Sequence, residues 1–359
     1  MFIHSGPPLY LTFFVTGRCD SRCATCFNWK RLKGSEKDLS LEEIEKFTSK
    51  MSGLLWLSLS GGEPFLRDDF VEIVETFIRN TNPRHITINT NGIQSRRICD
   101  MSEKIVRAAK NKCFVNINVS IDGIAELHDK IRGVKGNFEA AAETFNILKS
   151  LKKSNPDFGA GISTTFNSYN QKSISDLKKH VIEVMQPDHW DLSYVRGEPR
   201  TADTLAADPE EFGIVKTELD RMWSSGEMKY YDFPLSGLVL ARDRLLTRFL
   251  MATLRENRYV MPCYAGSISS VIMENGDALA CETLPDIIGS LRDSEYDLGS
   301  IMKSPAAAAI RERIKKTKCF CTHECNLAIN ILFNPLLYPK LITLIPSKRS
   351  RASSSCKNG

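Results

Sequence analysis

Short, mostly apolar runs alternate with longer mixed segments over the first 200 positions. The runs predict strands at Leu9–Thr16, Leu54–Ser60, His85–Thr90, Phe114–Ile121, Gly159–Thr165 and Trp190–Val195. The segments between them predict helices at Ser40–Ser52, Asp68–Asn80, Met101–Lys110, Asn137–Ser154 and Ser173–Met185. Ser40 and Glu43, in S-L-E-E, form a capping box for the first of these helices. Strand and helix alternating in this way imply a parallel sheet with right-handed crossovers, an α/β fold.

The pattern changes after residue 200. Residues 203–258 read as a helical bridge, with Pro209 near one helix start and Pro234 at a break. A hairpin follows: Ser267–Met273, a turn at Glu274-Asn275-Gly276-Asp277, then Ala278–Cys281. Asn-Gly is the strongest short-range hairpin signal. Residues 327–346 are apolar but interrupted by Pro335, Pro339 and Lys340, which makes a poor transmembrane span. The segment reads as a cover for the region before it or for the α/β core. Docking to a membrane surface or a partner, helped by Lys348, Arg349 and Arg351, is the open alternative. The chain therefore divides into 1–200, 201–260, 261–326 and a segment of 327–359 that ends in a basic, flexible tail.

Composition narrows the class. A chain of 359 residues with 42% hydrophobic content can bury one large core and a smaller one. It contains no stretch of 18 clean apolar residues and no signal peptide, so a cytoplasmic location is expected. Eleven cysteines in that setting argue for metal rather than disulfides. The net charge of +5 is modest, and no nucleic-acid module is present, so no nucleic-acid partner is expected.

The chemistry concentrates in two motifs. Cys19, Cys23 and Cys26 are spaced C-x3-C-x2-C in GRCDSRCATCFNW. Four thiolates complete a 4Fe–4S cluster, so three leave one iron open to a substrate or cofactor. Gly61-Gly62-Glu63-Pro64 then ends the second strand. Its glycines allow backbone to approach a ligand, and Glu63 supplies a carboxylate at the strand end where α/β barrels place their sites.

Together these motifs resemble the radical S-adenosylmethionine (SAM) enzymes. The resemblance implies a partial (β/α)6 barrel over residues 1–200. It implies that Cys19, Cys23 and Cys26 hold a 4Fe–4S cluster whose fourth iron is chelated by SAM. One electron then cleaves SAM to a 5′-deoxyadenosyl radical, which abstracts hydrogen from substrate. Gly61, Gly62 and Glu63 would bind the methionine amino group. Asn89, in HITINTNGI, and Ser120 and Asp122, in NVSIDG, match family positions near the SAM ribose and carboxylate. Asp122 has a second reading, as a cap on the following helix. Asn167 and Arg196 end the next two strands, where relatives contact SAM or substrate. Arg196 reads equally as an ion-pair partner. The chain departs from the family at Thr25, where an aromatic residue normally precedes the third cysteine. Phe27 can instead pack beside the cluster and present backbone to adenine.

A second cysteine group resembles the auxiliary-cluster extension called SPASM, or its shorter twitch form. It comprises Cys263, the hairpin with Gly276-x4-Cys281, and Cys319, Cys321 and Cys325 in KCFCTHECN. Five thiols serve one auxiliary 4Fe–4S cluster with one to spare: Cys263, Cys281 and two of the last three. Four cysteines also suit zinc. His323 reads as a neighbour of the metal, donating to a carbonyl or carboxylate. Cys99 and Cys113 read as small apolar packing residues, and Cys356 sits in a Ser-rich tail. His4, His85, His128, His180 and His189 show no ligand spacing, and His128 reads as shaping a loop.

The resemblance implies an oxidoreductase or maturase for a peptide or protein side chain, or a dehydrogenase of an alcohol or sugar. The auxiliary cluster would accept an electron or anchor substrate, and a flavodoxin- or ferredoxin-like donor would reduce the first cluster. Only eighteen residues precede Cys19, which disfavours maturases with a fused leader-peptide domain. Two other classes compete: an iron–sulfur electron carrier that does not cleave SAM, and a barrel with a zinc-stabilised interaction module. No residue is identified as a general acid or base.

Overall fold

The computed structural model describes residues 7–345 apart from 33, 35, 36, 229 and 231–235. His4, Pro234, Lys348, Arg349, Arg351 and Cys356 lie outside the described residues.

Six strands form the parallel part of one sheet: β1 Tyr10–Phe14, β2 Trp56–Ser60, β3 His85–Thr90, β4 Phe114–Ser120, β5 Phe158–Phe166 and β6 His189–Tyr194. Between them run α1 Leu41–Ser49, α2 Phe70–Thr81, α3 Ser95–Ala109, α4 Glu126–Arg132, α5 Asn137–Leu151 and α6 Ile174–His180. The capping box is formed: Ser40 Oγ accepts from the Glu43 N–H at 3.2 Å, and Glu43 accepts from the Ser40 N–H at 2.8 Å. The strands share two faces. Leu57, Leu59, Ile86, Ile88, Val115, Ile117 and Val119 bury against the helices. The alternate residues Ser58, Ser60, Thr87, Asn89, Asn118 and Ser120 face inward and line a cavity.

Part of that polar interior is hydrogen-bonded within itself. Asn116 Nδ2 donates to Asn118 Oδ1 at 2.6 Å, and Asn118 Nδ2 donates to Asn89 Oδ1 at 3.3 Å. On β5 the facing residues are Gly159 and Gly161. A Cβ on Gly161 would lie 2.1 Å from Asn118 Oδ1. The two glycines therefore make room for the asparagine ladder.

Two helices, α7 Pro209–Ser225 and α8 Ser236–Glu256, follow the parallel strands. The predicted hairpin forms as β7 Ser269–Ile272 and β8 Asp277–Leu279, and β9 Ile287–Ser290 adds a third strand. Gly276 adopts φ 90° in the turn, and Asn275 Oδ1 accepts from the Asp277 N–H. β7 pairs in parallel with β1, so the sheet is continuous in the order β6-β5-β4-β3-β2-β1-β7-β8-β9. The division at residue 261 thus falls within one sheet. The chain then forms α9 Leu298–Lys303, α10 Pro305–Lys316, α11 Glu324–Leu332 and α12 Tyr338–Leu344. No single described helix is long and apolar enough to cross a membrane.

Candidate active site

The loop between β1 and α1 carries the first three cysteines. The N–H groups of Arg22 and Ala24 donate to the carbonyls of Arg132 and Ile131, at 3.0 and 2.8 Å, where α4 ends. On the other flank, the N–H groups of Arg200 and Thr201 donate to the carbonyls of Cys26 and Ala24. Held in this way, Cys19, Cys23 and Cys26 all open into one cavity of about 380 Å³ inside the barrel.

The Gly-Gly-Glu turn braces the same loop. The N–H groups of Gly62 and Glu63 donate to the carbonyls of Thr16 and Arg18, each at 2.8 Å. Gly61 sits at φ 128°, and a Cβ on Gly62 would lie 1.8 Å from Arg18 O. What the glycines approach most closely is therefore the base of the cysteine loop. Glu63 is buried and held by three donors of its own chain. Its Oε1 accepts from the Phe65 N–H and the Thr90 hydroxyl, and its Oε2 accepts from the Asn91 N–H at 2.7 Å. Burial pushes its carboxyl up to about 7 despite these donors.

The cysteine loop is electrostatically unfinished. Burial pushes the Cys19 thiol up to about 12, and Glu63, Cys23 and Asp20 add to the effect. The Cys26 thiol rises for the same reason, and the neighbouring Cys23 adds to the effect. Beside them lies Arg132. Burial works against its charge, but Cys23, Asp122 and the other two thiols hold it above its ordinary value. Its Nε has no hydrogen-bond partner, and its Nη1 meets Asp122 Oδ2 at 3.1 Å. Three loop thiols beside one buried guanidinium, whose charge favours thiolates, fit an iron–sulfur cluster that takes thiolate ligands.

The cavity gathers most of the residues expected from the sequence: Phe27, Gly61, Gly62, Glu63, Asn89, Ser120 and Arg196, with the three cysteines. Arg196 stacks over the Phe27 ring at 5.4 Å and lies 3.9 Å from Glu282. Asp122 and Asn167 are placed elsewhere. Asp122 pairs with Arg132, and its Oδ1 accepts from the Thr165 N–H at 2.8 Å. His128 Nδ1 accepts from the Asp122 N–H, and burial lowers that imidazole to about 4. Asn167 folds a turn: its Oδ1 accepts from the Tyr169 N–H, and its Nδ2 donates to Thr165 O.

The second cysteine group divides four to one. Cys263, Cys281, Cys319 and Cys321 act on one another electrostatically. Cys263, Cys281 and Cys319 also share an apolar cluster with Ile314. Cys281 Sγ receives the Asn326 Nδ2 donor at 2.9 Å and lies 3.8 Å from His323 Nδ1. His323 Nε2 in turn lies 3.3 Å from Glu282 Oε2. Burial alone would raise Glu282, but the charges of His323 and Arg196 outweigh it and hold the carboxyl down at about 2. Cys325 lines the main cavity and also hydrogen-bonds His323. Among the described residues, no three His, Cys, Asp or Glu side chains converge closely enough for a single ion.

The sequence reading missed one wall of the cavity. Lys216 and Trp223 of α7, Arg242 and Asp243 of α8, and Glu324 of α11 all line it. Lys216 donates to Leu192 O at 2.9 Å. Glu324 Oε1 is buried without a partner, and burial pushes this carboxyl up to about 7. The only signal was weak: charged residues within otherwise apolar helical stretches.

A partial parallel barrel that presents three thiols from the loop after β1 has the form of a cluster-binding domain. Residues 13–180 match the Radical SAM superfamily, and the chain carries a radical SAM domain of that superfamily. The family uses a 4Fe–4S cluster and SAM. The subtilosin biosynthesis protein AlbA of Bacillus subtilis is 32% identical over 147 residues, 39% of this chain and 30% of that protein. GTP 3′,8-cyclase of Pasteurella multocida is 30% identical over 159 residues, 40% of this chain and 45% of that protein. The chain thus spans under half the length of either relative. Streptococcus suis SuiB bound to its precursor peptide SuiA superposes with a TM-score of 0.57 at 17% identity, covering 86% of this chain and 67% of that one. Bound to SAM, SuiB gives 0.61 at 16% identity, with coverages of 92% and 75%.

Proposed function

We propose that this chain is a radical SAM maturase that modifies a side chain of a peptide substrate. The observation that carries the reading is the single cavity in which three loop thiols face Ser120, Arg196 and the α7–α8–α11 wall. When bound, the cluster and SAM supply a 5′-deoxyadenosyl radical that takes hydrogen from substrate. Cys19, Cys23 and Cys26 would hold the cluster, and Arg132 would balance its thiolate charge. Glu63, Asn89, Ser120 and Arg196 would orient SAM, while Phe27 and Thr25 close the loop side.

Size supports a peptide. A cavity of about 380 Å³ lies near the lower end of the range for small-molecule sites. Once SAM is held, the remaining room suits a side chain reaching in from outside better than a second whole metabolite. The names of AlbA and of the SuiB–SuiA complex point the same way.

The auxiliary site completes the proposal. Cys263, Cys281, Cys319 and Cys321 are the four ligands, and Cys325 is the spare thiol. The radical SAM domain beside them favours a 4Fe–4S cluster over zinc. That cluster would take an electron from the substrate radical.

The test is anaerobic reconstitution with iron and sulfide counted per chain, then an assay for 5′-deoxyadenosine from SAM and dithionite. About eight irons with nucleoside formed are expected. Iron without nucleoside, with or without candidate peptides, would sink the maturase reading. About four irons with nucleoside would return the second group to zinc or bare thiols.

A further inference from the structure

The last 35 residues have a charge pattern unlike the rest of the chain. After Glu324 there is no acidic residue, but there are five basic ones: Lys340, Lys348, Arg349, Arg351 and Lys357. The rest of the chain carries 43 basic and 43 acidic residues, so its charge is balanced. The whole net charge of +5 therefore belongs to this segment.

The described part of the segment is also unusual in how it packs. The turn Pro335–Leu337 and α12 carry two apolar faces rather than one. Leu337 and Leu341 are buried, and α12 packs on α8. Leu336 is 85% exposed, Ile342 68%, Tyr338 45% and Ile345 41%. These four recur at spacings of two to four, so much of the outer surface of the turn and helix is apolar and bare. Lys340 is exposed beside them.

We propose that this surface is a docking site for an anionic lipid bilayer, with α12 lying in the headgroup region. Large aliphatic side chains, a tyrosine and an acid-free run of lysine and arginine form the composition of an interfacial anchor. Nucleic acid does not suit exposed Leu336 and Ile342, and an acidic protein would leave the aliphatic surface uncovered. The segment lies on the membrane rather than through it. α11 and the Pro335–Leu344 stretch have the joint length and apolarity of a span, but they bend by 80°. Leu327, Ala328 and Ile331 of α11 are already committed to the core. α12 packs on α8, whose Arg242, Asp243 and Leu246 line the cavity, so only one helix layer separates the docked face from the reaction site.

The experiment is co-sedimentation of the reconstituted full chain with vesicles of phosphatidylcholine alone, or with phosphatidylglycerol added. Binding to the anionic vesicles is expected, with weak binding to the neutral ones and partial loss in high salt. The Leu336→Glu/Ile342→Glu variant should bind about tenfold more weakly. It should keep its iron content and 5′-deoxyadenosine formation, which shows that it is folded. Equal binding by wild type and variant would leave only non-specific charge attraction and overturn the proposal. So would the absence of vesicle binding. Light scattering decides the remaining case: a dimer that the variant splits, without vesicle binding, would make the surface a self-interface.

Discussion

The two cysteine groups differ in how the chain builds them. Cys19, Cys23 and Cys26 lie within eight residues on one loop, which hydrogen bonds clamp between the end of α4 and the segment after β6. Cys263, Cys281, Cys319 and Cys321 come from three places: before β7, after β8 and after α10. The first group opens into the main cavity, whereas Cys263, Cys281 and Cys319 sit in an apolar cluster outside its lining. Their charge balance differs too. Beside the first, Glu63 is pushed up to about 7 because burial exceeds its donors. Beside the second, Glu282 is held at about 2 because His323 and Arg196 outweigh burial. In both groups a cationic side chain, Arg132 in the first and Arg196 in the second, lies near the thiols and favours their ionised form.

Replacing Cys19, Cys23 and Cys26 together with alanine is the largest perturbation of that contrast. It should abolish 5′-deoxyadenosine formation and leave the absorbance of the second group intact. Nucleoside formed by the triple variant would refute the assignment of the first group. Gly62→Ala should come close in severity. Its Cβ would collide with the Arg18 carbonyl, and backbone cannot yield as a flexible side chain can. We expect the iron of the first site to be lost while that of the second stays. Full iron retention would show that the loop has slack which the structure lacks.

The four-to-one division of the second group has its own test. Cys321→Ala should lose the auxiliary cluster and leave about four irons per chain, whereas Cys325→Ala should keep about eight. If Cys325→Ala also fell to four, Cys325 would be a ligand and the cavity-facing thiol would not exist.

Arg132 separates charge balance from mere packing. Arg132→Met strands Asp122, a buried carboxylate, and removing one member of a buried pair costs about 3–5 kcal/mol. Adding Asp122→Asn removes the stranded charge. The double variant should therefore melt above the single one, yet still hold less iron in the first site than wild type. Equal iron in wild type and double variant would mean that Arg132 only supports Asp122.

The legible parts of this molecule were those carried by contiguous residues. β3 occupies its predicted span, because HITINT is bounded by polar residues and Gly92. α3 begins at Ser95 rather than Met101, since its first turn exposes Ser95 and Arg97 in part and buries only Ile98 and Cys99 nearby. α4 escaped notice because seven residues bury only His128 and Ile131, too few to show a period. β9 is a four-residue edge strand with Ile287 exposed. The cysteine loop and Gly-Gly-Glu were readable, because each is one local motif. Arg132, Lys216 and Glu324 were not. Each reaches the cavity from a helix whose position depends on contacts far along the chain, and a lone charge in a helix is normally solvated. The inward polar set was visible in the alternation of WLSLS and VNINVS, but an apolar reading of those strands passes over it.

Asp220 gives the smallest and most diagnostic effect, because it lies on α7 away from both cysteine groups. If burial without enough counter-charge is what raises Glu63, Asp220 should behave alike. Burial does push it up to about 6, against Lys216, and its Oδ1 lacks a partner. A carboxyl raised in the folded state binds its proton more tightly there than in the unfolded chain. Its contribution to stability is therefore full below about pH 4, falls as pH rises through 6, and is flat above. Asp220 is partly exposed, so the effect is discounted to about 1 kcal/mol. Asp220→Asn removes the penalty. Its melting temperature should match wild type near pH 4 and exceed it by about 1–2 °C at pH 8, measured across that range by calorimetry. A constant offset at every pH would mean that Asp220 is solvated in the folded chain.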